Sequence, residues 1–196
     1  MQFSFSVKNV SLGLAIVAMS AAAASAQSLS GVNTKLLTPL DSQTAKVGQQ
    51  VAVKLNDSVK ITSGETLPKG TQLVGSVSEV KAADGSNPAS VTVVFNSAEL
   101  KGGKKVPVKA TLLAAYPANG GDGQDVLGAA PSQVAPKYTV DQEPGALPGV
   151  TLKSAVENPD SGTFSKQKGN FKLGAGSFLQ LAVGPASGNG NTSAAE

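Results

Sequence analysis

The chain contains no cysteine, no histidine and no tryptophan, and these absences exclude a great deal of chemistry. Without His or Cys there is no zinc site of the usual kind, no Ser-His-Asp triad, no Cys-His dyad and no haem attachment. No disulfide can staple the fold, so packing and sheet pairing must hold it together. Aromatic residues make up 4% of the chain, too few for a sugar-stacking cleft to be expected. Arginine is missing as well: all 16 basic residues are lysines, and only Lys101, Lys104, Lys105 and Lys109 sit close together. A nucleic-acid binder normally carries a denser basic stripe, arginine for bidentate contacts and aromatics for stacking. No nucleic-acid partner is therefore expected, and the lysine group reads as a solvated turn and strand face.

What is present begins with an export signal. Met1 to Asn9 carry a single charge, Lys8, and Val10 to Ala24 are almost wholly apolar and small, closing on Ala24-Ser25-Ala26. That order fits a cleavable signal peptide over residues 1–26, with cleavage after Ala26. A spanning helix needs about 20 apolar residues; this run is broken by Ser11, Gly13 and Ser20 and is not followed by a basic cluster. The expected mature chain starts at Gln27, has no membrane span, and is secreted or periplasmic. Losing Lys8 lowers the formal net charge of +3 by one.

Residues 27–183 are enough for one domain with a core. Short alternating runs of Val, Thr and Leu are separated by Gly, Pro, Asn and Asp, the pattern of an all-β domain, either a small barrel or a sandwich. Strands are predicted at Ser30–Leu36, Gln50–Leu55, Ser58–Ile61, Gln72–Lys81, Ser90–Phe95, Lys105–Ala115, Val150–Ser154, Thr163–Ser165 and Ser177–Val183. In Gln72–Lys81 the buried face switches midway, as a bulge would allow. Pro107 belongs on an edge or at a bulge, because it has no N–H to donate to the sheet. Leu67-Pro68-Lys69-Gly70 reads as a turn, Lys101-Gly102-Gly103-Lys104 as a hairpin, and Asp84-Gly85 with Asn87-Pro88 as a longer polar loop. One helical turn is expected at Asp41–Ala45. Residues 117–149, rich in Gly, Pro, Ala, Gln and Asp, read as a long flexible loop or insertion, and 184–196 as a disordered tail.

Three strings invite a chemical reading. Gly120-Gly121-Asp122-Gly123-Gln124-Asp125 begins the calcium β-roll nonapeptide, in which Asp122 and Asp125 would offer oxygen ligands. That site needs stacked copies and there is one, so a glycine loop explains it with less. Asp160-Ser161-Gly162-Thr163 matches the aspartic-protease string, whose mechanism needs a second facing carboxylate. No second copy exists, and a turn entering the next strand suffices; an acid-base hydrolase using Asp160, or a pair drawn from Asp57, Glu65, Glu79 and Glu99, is the enzyme alternative. Ser78-Glu79-Val80-Lys81 spells the acyl-serine motif but falls on a predicted strand, where residues three apart face opposite ways. No catalytic, cofactor or metal residue is assigned.

From Val47-Gly48 through Val51–Val53, Val59–Ile61, Leu67-Pro68-Lys69-Gly70-Thr71-Gln72-Leu73-Val74-Gly75, Val91–Phe95 and Val106–Ala110, the order of segments resembles small secreted bacterial proteins of unassigned function. More distantly it is similar to the TrbI-type β-barrel domain of conjugative secretion channels, over residues 47–116. The resemblance implies a barrel fold and an envelope address. It carries no catalytic residues, because that family is structural, and the membrane anchor and helical projection of the channel subunits have no counterpart here. The expected function is a non-enzymatic exported β-domain that binds or scaffolds an envelope or extracellular protein without a cofactor; a calcium-binding secreted protein is the other alternative.

Overall fold

The structure, a computed structural model, describes residues 29–61, 64–118, 128–142 and 147–186. The predicted signal peptide, Asp122, Asp125 and most of the predicted tail lie outside the described residues. Thirteen strands follow in chain order: β1 Ser30–Leu36, β2 Leu40–Asp41, β3 Gln50–Leu55, β4 Val59–Lys60, β5 Thr66–Leu67, β6 Gln72–Lys81, β7 Ala89–Glu99, β8 Lys105–Tyr116, β9 Thr139–Gln142, β10 Val150–Ala155, β11 Gly162–Lys166, β12 Lys172–Leu173 and β13 Phe178–Pro185. There is no helix among the described residues, hence none long and apolar enough to cross a membrane.

Six of the strands, in the order β6-β3-β1-β13-β8-β7, close on themselves through the β6–β7 pairing. The result is an antiparallel barrel, and closure removes the edges that an open sheet would present. Cross-strand partners share a face, and the register carries apolar partners around the wall. Leu36 faces Val53, Val53 faces Leu73, Leu73 faces Ala98 and Ala98 faces Val106. A second ring runs Val51, Gly75, Phe95, Ala110 and Val183. All the apolar side chains of both rings are buried, so the barrel is filled by side chains.

Gly75 shows why the wall needs these residues. A Cβ there would run into the Val94 carbonyl oxygen and come 2.7 Å from Phe95 Cα. The β6–β7 register shifts between Val74 and Gly75 and again between Val77 and Glu79, which is the bulge expected from the switch of buried face. Pro107 stands opposite Ser97, beside the β7–β8 irregularity, where a missing N–H is tolerated. The Thr71 N–H donates to the Pro68 carbonyl across a turn with Gly70 at φ 88°.

The single capped turn expected at Asp41–Ala45 is present: the Asp41 carboxylate accepts from Gln43 N–H, and its carbonyl accepts from Thr44 and Ala45. Two expectations are revised. The polar loop at 84–88 is a tight turn, with Asp84 and Asn87 exchanging backbone hydrogen bonds. The 117–149 stretch, read as a flexible loop, contains β9, and part of it is fastened to the barrel. Val134 exchanges backbone hydrogen bonds with Leu29, Gly31 N–H donates to the Pro131 carbonyl at 2.8 Å, and Asn33 Nδ2 donates to the Gly128 carbonyl at 2.9 Å. This strap lies where β1 has left β3, whose pairing covers only Thr34–Leu36. A side chain at Gly31 would strike the Pro131 carbonyl.

Candidate binding surface

β7 is long enough to serve two sheets. One edge pairs with β6 along its length, while the other is shared: Phe95–Glu99 lie against β8 and Ala89–Val93 against β11. At the fork, Ser161 fills the gap between the diverging strands. Its N–H donates to the Val93 carbonyl at 2.9 Å, its carbonyl accepts from Leu112 N–H at 2.8 Å, and its Oγ accepts from Phe95 N–H at 2.8 Å. Ser154 Oγ donates to the Leu112 carbonyl, tying β10 to the same place. Gly162 completes the joint, since a Cβ there would lie 3.1 Å from Leu112 Cδ1 and 3.2 Å from Ser154 Cβ.

The protease-like string is therefore a strand junction. Asp160 points away from it, with Oδ1 accepting from Ser78 Oγ at 3.4 Å. Of the other carboxylates, Glu79 follows Ser78 on β6, while Glu99, Glu65 and Asp57 lie elsewhere. Glu79 stands opposite Thr92 and is ion-paired with Lys81 at 2.7 Å, Glu99 stands opposite Gln72 and Lys105 at the far end of β7, and Glu65 is ion-paired with Lys104 at 3.3 Å. Asp57 is exposed beyond the end of β3. No group of three His, Cys, Asp or Glu residues able to hold a metal occurs among the described residues. Ser78 and Lys81 both lie on β6, as the strand reading requires.

From the fork the sheet continues through β11 and β10 to β9. One face of this side sheet joins the core: Val91, Phe164 and Leu152 are fully buried, Val140 nearly so, and the Phe164 ring packs on Phe171 with centroids 6.3 Å apart. The other face carries a polar row in register across five strands: Asp141, Lys153, Thr163, Thr92 and Glu79. Lys153 and Asp141 are ion-paired at 3.3 Å, and the Thr92 and Thr163 hydroxyls are 2.9 Å apart. A shallow hollow of about 340 Å³ opens here, lined by Thr139, Asp141, Lys153, Ala155, Asn158 and Thr163 among others. A second, of about 360 Å³, lies at the fork against Val94, Val108, Lys109, Glu157 and Pro159. β9 pairs with β10 on one side, and among the described residues its other edge has no strand partner. Sequence reading missed β9 because Val140 is the single apolar residue of Thr139–Gln142, too little to show alternation.

The fold and its open-edged side sheet define a six-stranded closed barrel with a lateral extension. No protein-family model matches the chain, and no curated protein matches it. Among solved structures, ComB10 of the Com type IV secretion system of Helicobacter pylori is similar with a TM-score of 0.39 and 13% identity, covering 80% of this chain and 85% of that one. At that identity and score the likeness assigns neither a function nor a partner to this chain.

Proposed function

We propose that the protein is a non-enzymatic binding or scaffolding domain of the bacterial cell envelope, exported with cleavage after Ala26, that engages a protein partner through its side sheet. The observation that carries this reading is the unpaired edge of β9 among the described residues. Such an edge offers backbone N–H and C=O groups to an extended segment of another chain, which adds as a further strand. The filled barrel supports the reading, because an interior packed with side chains leaves the surface to carry recognition. The position of Glu99 at the far end of β7 from Glu79, and the engagement of Glu79 by Lys81, also favour binding over acid-base hydrolysis.

A photo-crosslinking residue at Thr139 or Gln142, compared with one at Lys46 on a distant exposed turn, tests it. The β9 positions should give a discrete adduct with one envelope protein, which disappears when Val140→Pro disrupts the strand. Equal labelling from Lys46, or no adduct from β9 in intact cells, would remove the reading.

A further inference from the structure

The end of the barrel away from the side sheet gathers lysines from separate turns. β3 carries Lys54 beside its last residue there, the Pro68–Thr71 turn carries Lys69, and the β7–β8 hairpin carries Lys101 and Lys104, with Lys105 opening β8. Register places Lys54 opposite Gln72, Gln72 opposite Glu99, and Glu99 opposite Lys105 across four adjacent strands. Lys54 and Lys101 converge: their Cε atoms lie 3.7 and 3.9 Å from the point where a Cβ on Gly70 would stand. Lys54, Lys69, Lys101 and Lys105 are all exposed. The ion pairs among the described residues are Lys81–Glu79, Lys104–Glu65 and Lys153–Asp141, so none of those four is neutralised there. The Lys104–Glu65 pair links the β4–β5 hairpin, which carries Lys60, to this end. Lys54, Lys60, Lys69, Lys101, Lys104 and Lys105 thus outnumber Asp57, Glu65 and Glu99 on one end of the molecule.

We infer that this lysine-rich end is a docking face for a membrane surface bearing anionic lipid headgroups. Charge complementarity selects an anionic partner, and the layout of the cations selects an extended one. Among the described residues the lysines project from separate turns and line neither of the two hollows described above, so a layer of phosphates can engage more of them at once than a small anion seated where Lys54 and Lys101 converge. Lysine ammonium groups are hydrated point charges suited to this diffuse attraction, where a bidentate clamp would call for arginine. Among the described residues, the large exposed apolar side chains Leu37, Val47 and Tyr138 fall outside these turns. Adhesion is therefore electrostatic, without insertion, and weakens as salt shortens the screening length. The inference is independent of the β9 reading, since the two surfaces lie toward opposite ends of β7.

The test uses the mature chain and vesicles of phosphatidylcholine, with or without one-third phosphatidylglycerol, in a sedimentation assay at low and high salt. Binding should require the anionic lipid and be lost at high salt. K54E/K101E should weaken it at least tenfold, while K46E/K168E, with the same change in net charge on exposed positions elsewhere, should change it less than threefold; thermal melts of both variants check that they fold. Equal loss in the two variants would reduce the effect to overall charge and overturn the docking face. So would an absence of vesicle binding, or binding only to an acidic polypeptide such as polyglutamate, which would assign the lysines to a protein partner.

Discussion

The two halves of β7 belong to different kinds of sheet. From Phe95 to Glu99 the strand is part of a closed wall in which both edges are paired and the inner face is packed. From Ala89 to Val93 it feeds a side sheet that ends on β9 with one edge unpaired among the described residues. The closed half spends its backbone hydrogen bonds internally and is suited to stability. The open half keeps some in reserve and is suited to recognition. Between them sits one residue, Ser161, whose three hydrogen bonds satisfy backbone groups of Val93, Leu112 and Phe95 where the two sheets part.

The largest test of this contrast is Gly75→Val. Side-chain atoms at that position must displace the β7 backbone, so closure of the barrel should fail. Urea denaturation should show a loss above about 3 kcal/mol, or no folded protein at all, since overpacking alone costs roughly 1–3 kcal/mol. A variant within 1 kcal/mol of the parent on that ~1 kcal/mol scale of ordinary substitutions would show that the wall can spread at the bulge.

Ser161→Ala asks whether the joint holds the two halves together. It leaves the buried Phe95 N–H without its acceptor, which should cost about 1–3 kcal/mol. Hydrogen exchange should quicken first in β10 and β11, with β3 and β6 little changed. Uniform acceleration throughout would mean that the side sheet and barrel open as one unit.

The smallest effect is expected from the neighbouring Asp160→Asn. Its carboxylate is only partly buried and makes one long hydrogen bond to Ser78, so stability should move by less than about 0.5 kcal/mol. A loss comparable with that of Ser161→Ala would place Asp160 within the joint.

Most barrel strands were legible because each carries several apolar residues at period two, and the switch of face in Gln72–Lys81 announced its bulge. The short strands β2, β5 and β12 were not, because two residues cannot display a period. The C-terminal half of β8 falls within the predicted strand Lys105–Ala115 although its burial does not alternate. Ala110, Thr111, Leu112 and Leu113 are all buried, because the strand is covered on its outer side as well, and alternation is lost. The strap at 128–134 was invisible because it is held by backbone groups and a single Asn33 amide, and composition does not encode backbone acceptors. For the candidate surface, the sequence offered Asp160 and Ser161 as chemistry. Tertiary structure made one a hydrogen-bonded joint and the other a peripheral carboxylate.

By itself the sequence determined that the chain is all-β and which runs form the long strands, because side-chain alternation is a local property set by the pleat of each strand. It also excluded histidine- and cysteine-based catalysis through composition alone. Tertiary structure decided that the sheet closes, that β7 divides between two sheets, that Lys54 meets Lys101 and that β9 exists. Each of these depends on pairing between residues far apart in the chain, and the energy that selects one pairing over another lies in the contact and in neither partner.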